Sequence, residues 1–269
     1  MRFKRKRMEL LDMKLIKTLK QHQFLFEELV KRDFNKKYKR TVLGVLWSIL
    51  SPLLMLFVMK MVFTQLLGRT TPHYTIYLFC GYIIFNYFSE ATKGGMSALM
   101  SNAGIFTKVN VPKHLFVLSK NVQSFVNFLL ILVVFFVFVA FDGLAFTWKF
   151  VLLLYPIFAL ALFNIGVSMI LSALFVFFKD IKYLYDVFSR VIMYLSAIFY
   201  NIKQFPEEAQ RLFLLNPVYV FISYFRSVVI NATVPSLTVH LMILAHTVLA
   251  VGIGCLVYKK YNCRFLYYV

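Results

Sequence analysis

Two stretches decide the fold: Leu115–Phe141, LFVLSKNVQSFVNFLLILVVFFVFVAF, and Lys149–Phe178, KFVLLLYPIFALALFNIGVSMILSALFVFF. The first holds one charged residue, Lys120, and the second only its opening Lys149. As helices rising ~1.5 Å per residue, both exceed the ~30 Å of bilayer hydrocarbon. Neither shows the short polar–apolar alternation of membrane β-barrel strands. Further runs extend the pattern on both sides: about Thr41–Leu67, Tyr74–Phe88, Tyr183–Tyr200 and Pro235–Tyr258. Of the 269 residues, 61% are hydrophobic and 15% charged, against about half and about a quarter in a soluble domain. The excess of apolar side chains requires a second apolar medium. The sequence therefore predicts an all-α integral membrane protein with six transmembrane helices.

Three details refine this plan. The second run leaves the hydrocarbon near Glu90 and Lys93, which stand three apart on one helical face and are placed to pair. Pro156 lies early in the fourth run and is expected to kink it. Residues 201–234 are apolar in two short halves broken at Asn216-Pro217. Segments of that length enter or line the membrane rather than cross it, and irregular backbone at depth must lie against protein or a hydrated cavity.

The net charge is +19, which in a soluble chain would point to nucleic acid; here its location points to a membrane face. Fourteen of the 30 Lys and Arg precede the first span, within residues 1–40. Leu11, Leu15, Leu19, Phe26 and Val30 recur there at helical spacing, as in an amphipathic helix lying in the interface. Segments on the N-terminal side of six spans carry 21 Lys and Arg, and those on the far side carry 4. Basic residues are retained in the cytoplasm, so both termini are expected there. The division is then a basic N-terminal region (1–40), a transmembrane domain (41–258, with a short-helix segment at about 203–230) and a cytoplasmic tail (259–269).

The chemistry carried by the chain is sparse. No glycine lies in a G-x-x-x-x-G-K-[ST] phosphate loop, so ATP hydrolysis would have to come from a separate subunit. The five histidines and the cysteines Cys80, Cys255 and Cys263 show no metal or disulfide spacing. No catalytic residue, metal or cofactor is expected in this chain. Mid-span charge is nearly confined to Arg190, about 10 Å into the fifth span beside Ser189, Tyr194 and Ser196.

Short motifs spread over most of the chain resemble the membrane subunit of polysaccharide-exporting ABC transporters, the ABC-2 type permeases for O-antigen, capsular polysaccharide and teichoic acid. They are Arg32-Asp33 and Lys37-Tyr38, then Leu43-Gly44-Val45-Leu46-Trp47 and Pro52-Leu53. Gly81 with the aromatic run to Phe88, Ile105-Phe106-Thr107-Lys108-Val109, Pro112-Lys113, Lys179-Asp180-Ile181 and Asn216-Pro217 with Arg226 follow in order. Three departures stand out. Ser196-Ala197-Ile198-Phe199-Tyr200-Asn201 lacks both prolines of the family's Ser-Pro-x-x-Tyr-Pro, Ser223 replaces a frequent Glu, and the tail lacks the usual Ala-Asp.

The resemblance implies a bacterial inner-membrane subunit that pairs with a second copy around a channel and binds two ATPase subunits. Its cargo would be a polysaccharide on a lipid carrier such as undecaprenyl diphosphate. The family assigns ATPase coupling to Ile105, Phe106, Lys108, Val109, Pro112 and Lys113. Arg32, Lys36, Lys37, Lys39 and Arg40 would receive the lipid diphosphate. By position, Trp47, Arg190, Tyr194, Phe199 and Tyr200 would line the channel. A pair of short re-entrant gating helices would include Pro206, Asn216, Pro217 and Arg226. Two other readings stay open on the residues alone: a related permease for a drug or another lipid, and a membrane enzyme of lipid-linked glycan synthesis.

Overall fold

The computed structural model describes residues 23–35, 43–44, 46–66, 72–109, 111–262 and 264–268. All regular structure among them is helical. A helix over residues 23–35 (α1) precedes α2 (Leu46–Leu66), α3 (Tyr74–Ser101), the single turn α4 (Ala103–Phe106) and α5 (His114–Phe141). A 3-10 turn, Trp148–Leu153, leads into α6 (Leu154–Phe177). Then come α7 (Ile181–Leu195), α8 (Glu207–Phe213), α9 (Pro217–Val229), α10 (Leu237–Tyr261) and a final 3-10 turn, Arg264–Tyr267.

Four helical stretches are long and apolar enough to cross a bilayer: the first eighteen residues of α2, α5, the 3-10 turn with α6, and α10. Helix α3 has 28 residues, about 42 Å, but Asn86, Ser89 and Glu90 dilute its hydropathy. It is instead the long helix most enclosed by protein, packed against α5, α6 and α9, with an apolar face from Ile76 to Leu99 buried. Two apolar clusters hold the bundle. One surrounds the first half of α3 and includes Phe79, Phe135, Phe221 and Phe225. The other lies at the far end of α3 and joins Leu29 of α1 to Phe106, Phe116, Tyr258 and Phe265.

Helices α6 and α10 make a close crossing that depends on two glycines. A Cβ on Gly166 would fall 2.5 Å from the backbone of Ala250 and Val251, and one on Gly254 would fall 2.8 Å from the Gly166 carbonyl oxygen. Small residues at such a crossing let backbones approach without a hydrophobic drive between helices. Pro156 sits in the first turn of α6, just past the change from 3-10 to α geometry. It has no N–H for the carbonyl of Leu152, which accepts instead from the Tyr224 hydroxyl at 3.4 Å.

Helix α7 departs from the expected fifth span. It ends at Leu195, five residues before Tyr200, and its 15 residues extend only about 22 Å. Its outer face, including Tyr183, Leu184, Val187, Phe188, Val191 and Tyr194, is exposed in the single chain. Its inner face meets α3 through polar groups: Tyr185 Oη with Thr92, Asp186 with Lys93 at 2.9 Å, and Ser189 with Ser89 at 3.5 Å. Lys93 thus finds its ion-pair partner on α7, and Glu90 accepts a hydrogen bond from Asn127 Nδ2 at 2.8 Å.

Candidate functional site

Several of the residues singled out from the sequence gather at the two ends of α3. At its N-terminal end the break between α7 and α8 is held by side chains. Arg226 on α9 is 8% exposed, and its guanidinium donates to four carbonyl contacts. Nη1 reaches Ala197 O at 2.8 Å and Nη2 reaches Ile198 O at 3.0 Å. Nε and Nη2 share Tyr77 O at 3.3 and 3.1 Å. The guanidinium carbon also lies 3.4 Å from the centre of the Tyr77 ring. No ion pair to Arg226 forms among the described residues. Carbonyl dipoles and an aromatic face carry the buried charge instead.

Neighbouring side chains complete the net. Tyr74 Oη donates to Phe199 O at 2.8 Å, and Tyr77 Oη to Tyr200 O at 2.6 Å. Asn216 Nδ2 donates to Leu195 O at 3.1 Å while its Oδ1 accepts from Val218 N at 3.0 Å, capping α9. The carbonyls of Leu195, Ala197, Ile198, Phe199 and Tyr200 therefore all meet side-chain donors. Leu195 O is the last carbonyl of α7, and the other four lie in the non-helical turn beyond it; such carbonyls have no helical partner, and in apolar surroundings each would be costly. This net is the reason α7 ends where it does.

Ala197 takes φ +49° inside the net, a left-handed conformation that disfavours residues with a Cβ. A proline, locked near −65°, has no place in this turn. Gly81 supplies the space: a Cβ there would sit 3.0 Å from Arg226 Nη2 and 3.2 Å from Ile198 Cα.

Pro206 precedes α8, Pro217 opens α9, and the two helices meet at 103°. Beside them lies a cavity of about 510 Å³ lined by Tyr77, Asn201, Gln210, Tyr219, Arg226 and Asn231, among others. Its surface offers amides, hydroxyls, the His73 imidazole and one guanidinium, and among the described residues no carboxylate lines it.

At the C-terminal end of α3 the chemistry is different. Asp33, 2% exposed, meets Arg32 at 2.8 Å and Lys120 of α5 at 3.2 Å. Arg32 Nη2 donates to Asn102 Oδ1 at 2.6 Å, and Asn102 Nδ2 donates to Ala98 O at 2.7 Å, closing α3. Helix α1 is thus tied to the corner where α3 gives way to α4. Of the expected coupling residues, Phe106 is buried against Phe116 and Ile105 is half-buried. Lys108 and Val109 are exposed, Pro112 is half-buried and Lys113 is buried. Lys113 Nζ donates to Asn262 O and lies about 6 Å from the rings of Phe106 and Phe265. The loop therefore rests on the end of α10 and presents Lys108 and Val109 outward.

The other expected residues are dispersed. Trp47, Arg190 and Tyr194 are exposed on α2 and α7, and Tyr200 is half-buried. Phe199 faces inward instead, stacked on Phe63 at 4.6 Å in the core. Lys36, Lys37, Lys39 and Arg40 lie outside the described residues, as does the stripe Leu11, Leu15 and Leu19. Sequence reading missed Tyr74, Tyr77, Asn102 and Lys120. Tyr74 and Tyr77 share a face at the start of α3, a signal that 16 tyrosines in the chain obscure. Among the described residues no cluster of three or more His, Cys, Asp or Glu side chains is placed to hold a metal ion.

Long apolar helices, with a broken and side-chain-sealed backbone packed among them, define a multi-pass α-helical membrane protein. The chain belongs to the ABC-2 type transporter family, whose family model matches residues 25–230. Members of that family are transport components, not catalysts in their own right. The chain is similar to the O-antigen export system permease protein RfbA of Klebsiella pneumoniae, 26% identical over 90% of this chain and 95% of the relative. It is 25% identical to the protein of the same name from Myxococcus xanthus, over 82% of this chain and 86% of the relative. The polysialic acid transport protein KpsM of Escherichia coli is 22% identical over 71% and 76%.

Proposed function

We propose that this chain is the permease subunit of an ABC exporter that moves a lipid-linked polysaccharide across the bacterial cytoplasmic membrane. The observation that carries the reading is the near end-to-end similarity to O-antigen export permeases, 26% over 95% of the relative. The polar cavity beside Arg226 is compatible with a polyhydroxylated cargo, since amides and hydroxyls pair with sugar hydroxyls.

In this reading α2, α3, α5, α6, α7 and α10 are six spans, with both termini in the cytoplasm. Helices α8 and α9 enter and leave on the outer side as a gate, with Pro206, Asn216, Pro217 and Arg226 fixing their geometry. Two copies enclose the channel, and Trp47, Arg190, Tyr194 and Tyr200 face it while Phe199 supports them from behind. Two ATPase subunits, which bind the nucleotide, dock on the loop from Ile105 to Lys113. The exposed Lys108 and Val109 meet the ATPase, and Phe106, Pro112 and Lys113 pass its motion into the bundle. Arg32, with Lys36, Lys37, Lys39 and Arg40, attracts the lipid diphosphate by charge.

The test is to co-express the chain with the ATPase encoded beside it, tag only this chain and weigh the purified complex. Two copies of the 31.5 kDa chain with two ATPase chains are expected. Purification of this chain without ATPase under every nucleotide condition contradicts the reading.

A further inference from the structure

A cavity of about 790 Å³ lies on the flank of α5, α6 and α10, at the end of the bundle where α10 terminates. Its lining divides by polarity. Leu118, Ile165, Met169, Val251 and Cys255 form an apolar wall, whereas Lys113, His114, Lys259 and Asn262 gather at one end. Among the described residues no carboxylate lines it. Lys113 is committed to Asn262 O, but Lys259, in the last turn of α10, is exposed and forms no ion pair among the described residues.

A groove that is apolar along its length and cationic at its end complements an amphiphile with a negative head. It opens beside helices that the bilayer surrounds, so such molecules reach it at high local concentration. We propose that this groove is a binding site for an anionic phospholipid of the adjoining leaflet. The phosphate sits by Lys259 and His114, and the proximal acyl chain lies along Leu118, Met169 and Val251. Cationic side chains near a membrane surface attract anionic lipid, and the volume falls within the range of small-molecule sites. The site shares Lys113 and Pro112 with the loop proposed for ATPase coupling, so its occupancy would bear on that loop. The proposal rests on the chain being a multi-pass membrane protein and is independent of the cargo.

The test uses native mass spectrometry of the purified complex with phosphatidylglycerol, with phosphatidylcholine of the same acyl chains, and with inorganic phosphate as competitor. Phosphatidylglycerol is expected to bind about tenfold more tightly than phosphatidylcholine, and Lys259→Gln to remove most of that preference. Cys255 offers a second handle, because it is an exposed free thiol in the wall of the groove. Alkylation with a bulky maleimide is expected to abolish the first phosphatidylglycerol bound, with identically treated Cys255→Ser protein retaining it. Equal occupancy by the two lipids, retention after alkylation of Cys255, or full competition by inorganic phosphate would each overturn the proposal. The ATPase stoichiometry read in the same spectra reports separately on the exporter reading.

Discussion

The two ends of α3 solve the same problem with different chemistry. Beside Tyr74 and Tyr77 the chain breaks after Leu195 among apolar side chains, and one guanidinium with three neutral donors satisfies a run of carbonyls. At Asn102 the chain also breaks, but an Asp33–Lys120 pair and an Arg32–Asn102 bond hold the elements together, and Lys108 and Val109 stand exposed alongside. The first arrangement fixes a backbone shape. The second fastens one helix to another while leaving a loop available. In the proposed exporter the first would specify the backbone at the gate, and the second would leave a loop for the ATPase to meet.

The largest effect is expected at the seal. Arg226→Met leaves the Ala197, Ile198 and Tyr77 carbonyls without their donors. Leaving a buried acceptor unsatisfied costs about 1–3 kcal/mol each, and three carbonyls lose their donor here, so a large drop in thermal midpoint in detergent is expected, with Arg226→Lys intermediate. A midpoint unchanged by Arg226→Met would mean the net contributes nothing.

Asp33→Asn should weigh less, about 1–3 kcal/mol, through the loss of a buried acceptor for Lys120 and Arg32. Its specific sign is looser attachment of α1, read as faster hydrogen exchange in residues 23–35 with the Arg226 region unaffected. Exchange that rises equally at both ends would erase the distinction between them.

Ala197→Gly removes the Cβ from a left-handed position and should stabilise by about 1 kcal/mol. A destabilised Ala197→Gly protein would argue that the turn is not left-handed. Smallest of all, Lys93→Gln breaks a pair whose side chains are 45% and 40% exposed. Such pairs contribute at most about 1 kcal/mol, and the effect should fade in high salt.

The contrast between the ends also explains what the sequence revealed. The apolar runs at α2, α5, α6 and α10 were legible because hydropathy is local, and α5 begins and ends within a residue of its expected bounds. Asn216-Pro217 was legible as a break because an N-cap followed by proline carries its own geometry. The end of α7 was not, because it is set by Arg226, whose contacts lie 28 and 29 residues back, and by Tyr74 and Tyr77, more than 120 residues away. Phe199 was misplaced for the same reason: in a straight helix it would share a face with Leu195 and Ser196, but the turn carries it inward against Phe63. Pairings such as Lys93–Asp186 follow tertiary proximity that spacing along one helix cannot show.

Transport itself is the most direct test of the central claim. The chain and its ATPase would be reconstituted into vesicles loaded on the outside with lipid-linked O-polysaccharide from the source cell. ATP-dependent movement of the glycan to the vesicle interior, lost with Arg226→Met and with a hydrolysis-deficient ATPase, is the predicted result. A complex that assembles and hydrolyses ATP but leaves every glycan on the side where it was supplied would contradict polysaccharide export.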